Sequence, residues 1–194
     1  MKLKIIAITG LVFLIINQIM LLGGNEFIQT QKPIDYAHWL LLIGALFCLS
    51  INYIFSDTIF SNAATILTSI GIIALIGQAT IDFLWWSYGT DYAGMNQLTS
   101  QIMSRPSIRI PFMTIGPALF YIGLATHAGK FIKSHTPWAI IVFIGVIGIG
   151  LGAFAYDSRI LIILSHILLT IGITVLIFKK ENTSSLNKLK YVTQ

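Results

Sequence analysis

Six long apolar stretches dominate the sequence and leave little of the chain for any other kind of fold. They cover about residues 5–22, 36–55, 63–85, 110–129, 138–156 and 160–178. A helix that crosses the hydrocarbon core of a bilayer needs about 20 mostly apolar residues, and each stretch is close to that length. The sequence therefore predicts an all-α, polytopic integral membrane protein, built as a bundle of about six transmembrane helices.

The composition supports a single membrane domain. Only 10% of the residues are charged and 56% are hydrophobic, whereas soluble domains carry about 25% charged residues. We expect one transmembrane domain over residues 1–178 and a polar cytoplasmic tail over residues 179–194. The start of the chain imitates a signal peptide, but residues 21–26 offer no small-x-small cleavage site, so we expect a retained first span.

The distribution of basic residues predicts the orientation in the membrane. With a cytoplasmic amino terminus, most basic residues fall inside, namely Lys2, Lys4, Lys130, Lys133, Lys179, Lys180, Lys188 and Lys190. The outer side then holds only Lys32, Arg105, Arg109 and Arg159. Because lysine and arginine accumulate in cytoplasmic loops, we expect a multi-pass protein of the cell membrane with both termini cytoplasmic. The basic residues behind the net charge of +5 are scattered at the ends of the apolar stretches. We therefore expect no nucleic-acid partner.

The longest connection, residues 86–109, contains apolar residues at helical spacing. Met95, Leu98, Ile102 and Met103 alternate with polar side chains, which predicts a short amphipathic helix on the outer membrane surface. Arg105–Pro106 and Pro111 would end this helix and redirect the chain into the fourth span. An irregular polar loop is the alternative.

Glycine residues predict close packing of the fifth span and, together with proline, a kink in the fourth span. Gly145, Gly148 and Gly152 form a stripe on the fifth span, which allows two backbones to approach closely within lipid. Packing inside the bundle is the expected role, and a dimer seam is the alternative. Gly116 and Pro117 predict a kink in the fourth span.

Polar residues on several spans fall at one depth. At about 1.5 Å per helical residue, five of them lie roughly 7 to 11 Å below the outer boundary, with two more just above. The five are Asn17, Gln18, Gln78, Thr114 and His166, and the two are Asp82 and His38. A carboxylate inside the membrane costs about 2.5 to 3.5 kcal/mol at the centre, so we expect Asp82 to face the bundle or water.

This layer predicts an outer-facing polar pocket that binds a ligand. Its expected residues are Asp82, Gln78, His166, Asn17, His38 and Arg109. His166 is the expected partner of Asp82, with Arg109 competing for the same carboxylate. The alternative is that these groups only hold the helices together through hydrogen bonds, worth about 0.6 kcal/mol each.

The histidines do not predict a metal or haem site. Counted from the nearest basic residues, His127 lies about 5 Å from the inner boundary and His166 about 10 Å from the outer one. In a core about 30 Å thick they are roughly 15 Å apart, too far to share an ion. Only Asn52 and His127 interrupt the apolar inner half, so no continuous polar pathway is expected.

These features favour a non-enzymatic or accessory membrane protein that packs with partners or binds an amphiphilic ligand in the outer-facing pocket. One alternative is a membrane enzyme acting on a lipid-like substrate, with His166 as base and Asp82 orienting it. The other is a small transporter or transporter subunit. We expect no cofactor, no metal and no catalytic motif. The expected partners are membrane lipid, an amphiphilic small molecule and a membrane protein.

Overall fold

A computed structural model describes the backbone of residues 1–55 and 59–192 and the side chains up to residue 179. These residues are almost entirely helical, and no β-strand occurs among them. The predicted all-α bundle is therefore confirmed.

Six spans are long and apolar enough to cross a membrane. The helices that form them are α1 (Lys2–Leu21), α3 (Tyr36–Ile54), α4 (Ile59–Ser87), α6 (Pro106–Arg109) continued by α7 (Ile115–Gly129), α8 (Thr136–Phe154) and α9 (Arg159–Val192). Only Arg159–Lys179 of α9 counts as a span. The predicted tail at residues 179–194 thus begins as a continuation of this helix, and its last two residues lie outside the described part of the chain.

Two short helices lie between the spans. The predicted surface helix is present as α5 (Tyr92–Met103), which Asp91 caps by accepting a hydrogen bond from the Gly94 N–H at 3.0 Å. Met95 and Ile102 are its buried residues. The other short helix, α2 (Gly24–Thr30), connects the first two spans and was not predicted.

The fourth span differs from its predicted form. Pro106 begins α6 instead of ending the surface helix, which fits the preference of proline for the first turn. Pro111 lies inside a π-helical segment, Ile110–Thr114, which joins α6 to α7. The Ile115 N–H bonds to the Ile110 carbonyl, five residues back, so the irregularity expected at Gly116 and Pro117 occurs one turn earlier.

The spans form a closed ring in chain order. Consecutive spans pack most extensively as hairpins, α1 with α3, α4 with α7, and α8 with α9. The hairpins meet through α3 with α4 and α7 with α8, and α1 contacts α9 to close the ring. The start of α1 and the end of the sixth span lie at one end of the bundle, because the Lys4 ammonium is 5.2 Å from the Phe178 ring. We call this the lysine-rich end, defined by Lys2, Lys4, Lys130, Lys133 and Lys179.

The glycine stripe of α8 faces α9. A Cβ atom on Gly145 would lie 2.8 Å from the Leu169 nitrogen, and one on Gly152 would lie 2.7 Å from a side-chain carbon of Ile162. Gly148 lies against the Ser165 side chain. The stripe is therefore used for packing within the bundle, which leaves it no surface for a dimer seam.

A cluster of hydrogen-bonded polar side chains lies in the half of the bundle nearer the lysine-rich end. The Asn52 side-chain oxygen Oδ1 accepts hydrogen bonds from the Thr68 hydroxyl at 2.5 Å and from His127 Nε2 at 3.0 Å. The Asn52 amide donates to the Ser69 hydroxyl at 3.3 Å. The two polar residues expected in this half are thus bonded to each other, and they link α3, α4 and α7.

Candidate functional site

A cavity of about 420 Å³ lies inside the ring, towards the end opposite the lysine-rich end. All six spans contribute to its wall. The residues of the predicted polar layer line it together, namely Asn17, Gln18, His38, Gln78, Asp82, Thr114 and His166. Arg159 is exposed at the start of α9, where it forms part of the same wall.

Asp35, His38 and Asp82 form a line of ionisable groups on one side of the cavity. Asp35 caps α3, with one carboxylate oxygen accepting from the His38 N–H at 3.2 Å and the other contacting His38 Nδ1 at 2.5 Å. Because Nδ1 donates to Asp35, Nε2 is left to face Asp82, whose Oδ2 is 3.6 Å away. Asp35 is 1% exposed and Asp82 is 6% exposed, so both carboxyl groups point into the protein.

The expected pairing of His166 with Asp82 is wrong. His166 Nδ1 donates to the Ile162 carbonyl at 2.8 Å, which leaves Nε2 to accept a hydrogen bond from the Tyr121 hydroxyl at 2.9 Å. Both ring nitrogens are thus occupied by α7 and α9 themselves. Asp82 faces His38 instead, because Asp35 fixes the orientation of that imidazole.

A chain of amide groups crosses from α3 to α9. The Asn17 amide donates to the Ala37 carbonyl at 2.9 Å, and the Gln18 amide donates to the Asn17 side-chain oxygen at 2.8 Å. Arg159 then donates to the Gln18 oxygen at 3.1 Å. This chain joins the first and last spans at the mouth of the cavity.

Gln78 has a different environment from the other polar lining residues. Within the described part of the chain, its side-chain amide makes no hydrogen bond. It lies one turn from Asp82 on α4 and faces the cavity. On the side of Gln78 nearer the lysine-rich end, the wall is apolar and includes Leu41, Leu75 and Ile149. The cavity therefore combines polar groups near its mouth with an apolar floor.

Arg109 does not lie where the sequence placed it. It is exposed on α6 and is absent from the cavity wall. Arg159 lies in the described wall instead, together with Asp82. Arg109 is the last residue of α6 and directly precedes the π-helical segment.

Three residues of the site were missed by the sequence reasoning. Asp35 stands directly before the second span, so its preference for a helix N-cap could have placed it beside His38. Arg159 was assigned only to the membrane boundary. Tyr121 left no signal of its own, although a buried His166 needs a hydrogen-bond partner.

No group of three histidine, cysteine, aspartate or glutamate side chains within the described residues is placed to hold a metal ion. Comparison with protein-family models, with curated proteins and with solved structures found no match. The fold and the cavity therefore define the class: a multi-pass membrane protein whose six spans surround one polar-mouthed cavity.

Proposed function

We propose that this membrane protein binds an amphiphilic molecule in the cavity inside the ring and does not transform it. The polar groups near the mouth would hold the head of the ligand, and the apolar floor would hold its hydrocarbon part. A volume of about 420 Å³ falls within the range of about 300 to 1,000 Å³ that is usual for small-molecule sites.

The observation that carries this proposal is that the Gln78 side chain has no hydrogen-bond partner among the described residues. Gln78 is half-buried in the cavity wall, so its amide is open to a ligand or to water, and a hydrogen bond to a ligand would contribute about 0.5 to 1.5 kcal/mol. Residues that served only to hold helices together would bond across helices, as the Asn17 amide does. Gln78 makes no such bond within the described residues, which supports a binding role over a purely structural one.

The test is to measure the small molecules that co-purify with the chain in mild detergent. We expect wild-type protein to retain an amphiphile in near-stoichiometric amount, and Gln78→Leu to lose about tenfold in affinity, since one hydrogen bond of about 1.4 kcal/mol corresponds to that factor. Asp82→Asn should also weaken retention.

Thr80→Val is the matched control. Thr80 is on the same helix but exposed, and its hydroxyl donates to the Ile76 carbonyl at 2.9 Å. It should retain the ligand as wild type does. Equal retention in Gln78→Leu and wild type, or loss of thermal stability in Asp82→Asn with no change in retention, would contradict the proposal.

A second candidate is a membrane enzyme, and the Asp35–His38 pair favours it. A carboxylate that holds one imidazole nitrogen and directs the other into a cavity is the arrangement of a general base. In this form the base is His38 and not His166. The discriminating result is a chemical difference between molecules recovered from wild type and from His38→Asn, because a binding protein would release the same molecule from both.

We further propose that the chain is in the cell membrane with both termini cytoplasmic. The bias of lysines towards the end that carries the termini supports this orientation.

A further inference from the structure

A second cavity lies on the outside of the ring, between α7 and α8. It is a groove of about 740 Å³ in the half of the bundle nearer the lysine-rich end. The α7–α8 contact is less extensive than the contacts within the hairpins, which leaves room for the groove. It is separate from the cavity described above, although Ile122 and Val146 border both.

The body of the groove is apolar and faces the surrounding bilayer. Ile147 is 61% exposed and Ile122 is 47% exposed, and Phe60 of α4 closes the side at 72% exposure. The hydroxyl of Thr126 donates to the Ile122 carbonyl at 2.8 Å, so it offers no unpaired polar group. This lining suits a hydrocarbon chain.

Positive charge is confined to one end of the groove. Lys130 and Lys133, in the connection that follows α7, form its rim, and no acidic residue belongs to the described lining. Basic pockets between transmembrane helices attract the anionic head groups of lipids. The charge and the apolar walls together match a molecule with an anionic head and a long apolar tail.

The length of the groove favours a lipid over a protein helix. From Gly129 to Ile122 it follows α7 for seven residues, or roughly 10 Å at 1.5 Å per residue. That is less than half of a hydrocarbon core about 30 Å thick, so the groove stays within one leaflet. A transmembrane helix of a partner would extend far beyond it, whereas a phospholipid tail would not.

We propose that this groove binds an anionic phospholipid, with its phosphate between Lys130 and Lys133 and an acyl chain along α7 and α8. This site is independent of the ligand in the cavity inside the ring.

The test compares thermal unfolding of the purified full chain with added phosphatidylglycerol and with added phosphatidylcholine. We expect phosphatidylglycerol to raise Tm at lower concentration. In the double variant Lys130→Gln/Lys133→Gln, the half-maximal concentration of phosphatidylglycerol should rise about tenfold or more, because the variant removes the positive charge that attracts the anionic head group.

The double variant Lys2→Gln/Lys179→Gln is the control for general attraction. It removes two charges from the same end of the bundle, outside the groove, and should leave the lipid preference unchanged. An equal loss in both double variants would overturn the proposal, as would equal stabilisation of wild type by the two lipids or by inorganic phosphate at matched ionic strength.

Two further measurements examine the apolar part of the groove. The Gly129 position is open, with only the Phe143 ring tip within 4 Å of an added Cβ, at 3.9 Å. Gly129→Leu should therefore leave Tm without lipid unchanged while weakening the binding of phosphatidylglycerol. A photoreactive residue at position 147 should cross-link to phospholipid in membranes; a polypeptide adduct in place of lipid, or an unaltered lipid response in Gly129→Leu, would overturn the proposal.

Discussion

At the scale of single residues, hydrogen bonds decide which polar groups remain available in the cavity. His166 is 2% exposed, and both of its nitrogens are bonded, to Ile162 and to Tyr121. Asp35 holds the His38 ring through Nδ1, and His38 Nε2 is 3.6 Å from the Asp82 carboxyl group. The two histidines are therefore unequal: His166 helps to join α7 to α9, and His38 presents a nitrogen to the cavity.

We expect Tyr121→Phe to lower the free energy of unfolding by about 1 to 3 kcal/mol, because it leaves His166 Nε2 buried without a donor. Unfolding in mixed micelles would measure this change. Tyr156→Phe is the control, because Tyr156 is 68% exposed and should change stability by less than about 0.5 kcal/mol. The effects of Tyr121→Phe and His166→Leu should be less than additive in the double variant, and full additivity would disprove the bond.

At the scale of helices, glycine determines how closely the spans approach. Gly145 lies against the backbone of α9, which cannot shift as a flexible side chain would. Gly10 and Gly44 have the same role between α1 and α3, where a Cβ on Gly10 would lie 2.8 Å from the Gly44 carbonyl oxygen. The hairpins are thus closely packed units.

Gly145→Ala should reduce stability by about 1 to 3 kcal/mol, since the added methyl group would force α8 away from α9. Gly150→Ala is a matched control on the same helix, because no atom lies within 4 Å of its added Cβ. The higher helix propensity of alanine should keep Gly150→Ala neutral or make it slightly more stable. Similar melting temperatures for the two variants would show that the close approach is unimportant.

The spans were predictable from the sequence because each apolar run is long enough to specify a transmembrane helix on its own. Counting residues also placed the polar groups at one depth, and the structure brings them around one cavity. Counting residues could not predict which side chains bond to each other, because that depends on which face each helix turns to its neighbour. Depth counted at the Cα also missed Tyr121, whose side chain tilts towards the amino-terminal end of α7, where the polar layer lies. The π-helical segment was missed because proline signals a break without specifying its form.

At the scale of the whole molecule, the two halves of the bundle differ in their polar groups. Near the lysine-rich end, Asn52 and His127 are bonded to each other within the core. Near the other end, Gln78 and Asp82 face an open cavity. This difference supports ligand binding from one side of the membrane more than passage across it.

The proposed orientation predicts which positions react with an impermeant maleimide in intact cells. Cys48 is 1% exposed, and Cys48→Ala gives a cysteine-free background in which only the introduced cysteines can be labelled. Asn96→Cys, on the surface helix α5, should be labelled, and Lys133→Cys should be labelled only after the cells are opened. Both positions are exposed, so the reverse pattern would mean that the chain is inserted the other way round.

The closure of the ring by α1 and α9 affects how the protein is made. Chains fold from the amino terminus as they are synthesised, so the first two hairpins are in the membrane before α9 exists. The Gln18 side-chain oxygen of α1 can accept its hydrogen bond from Arg159 at the cavity mouth only after α9 has been synthesised. The wall of the cavity is incomplete until the sixth span leaves the ribosome, so a nascent chain that stops earlier does not enclose it.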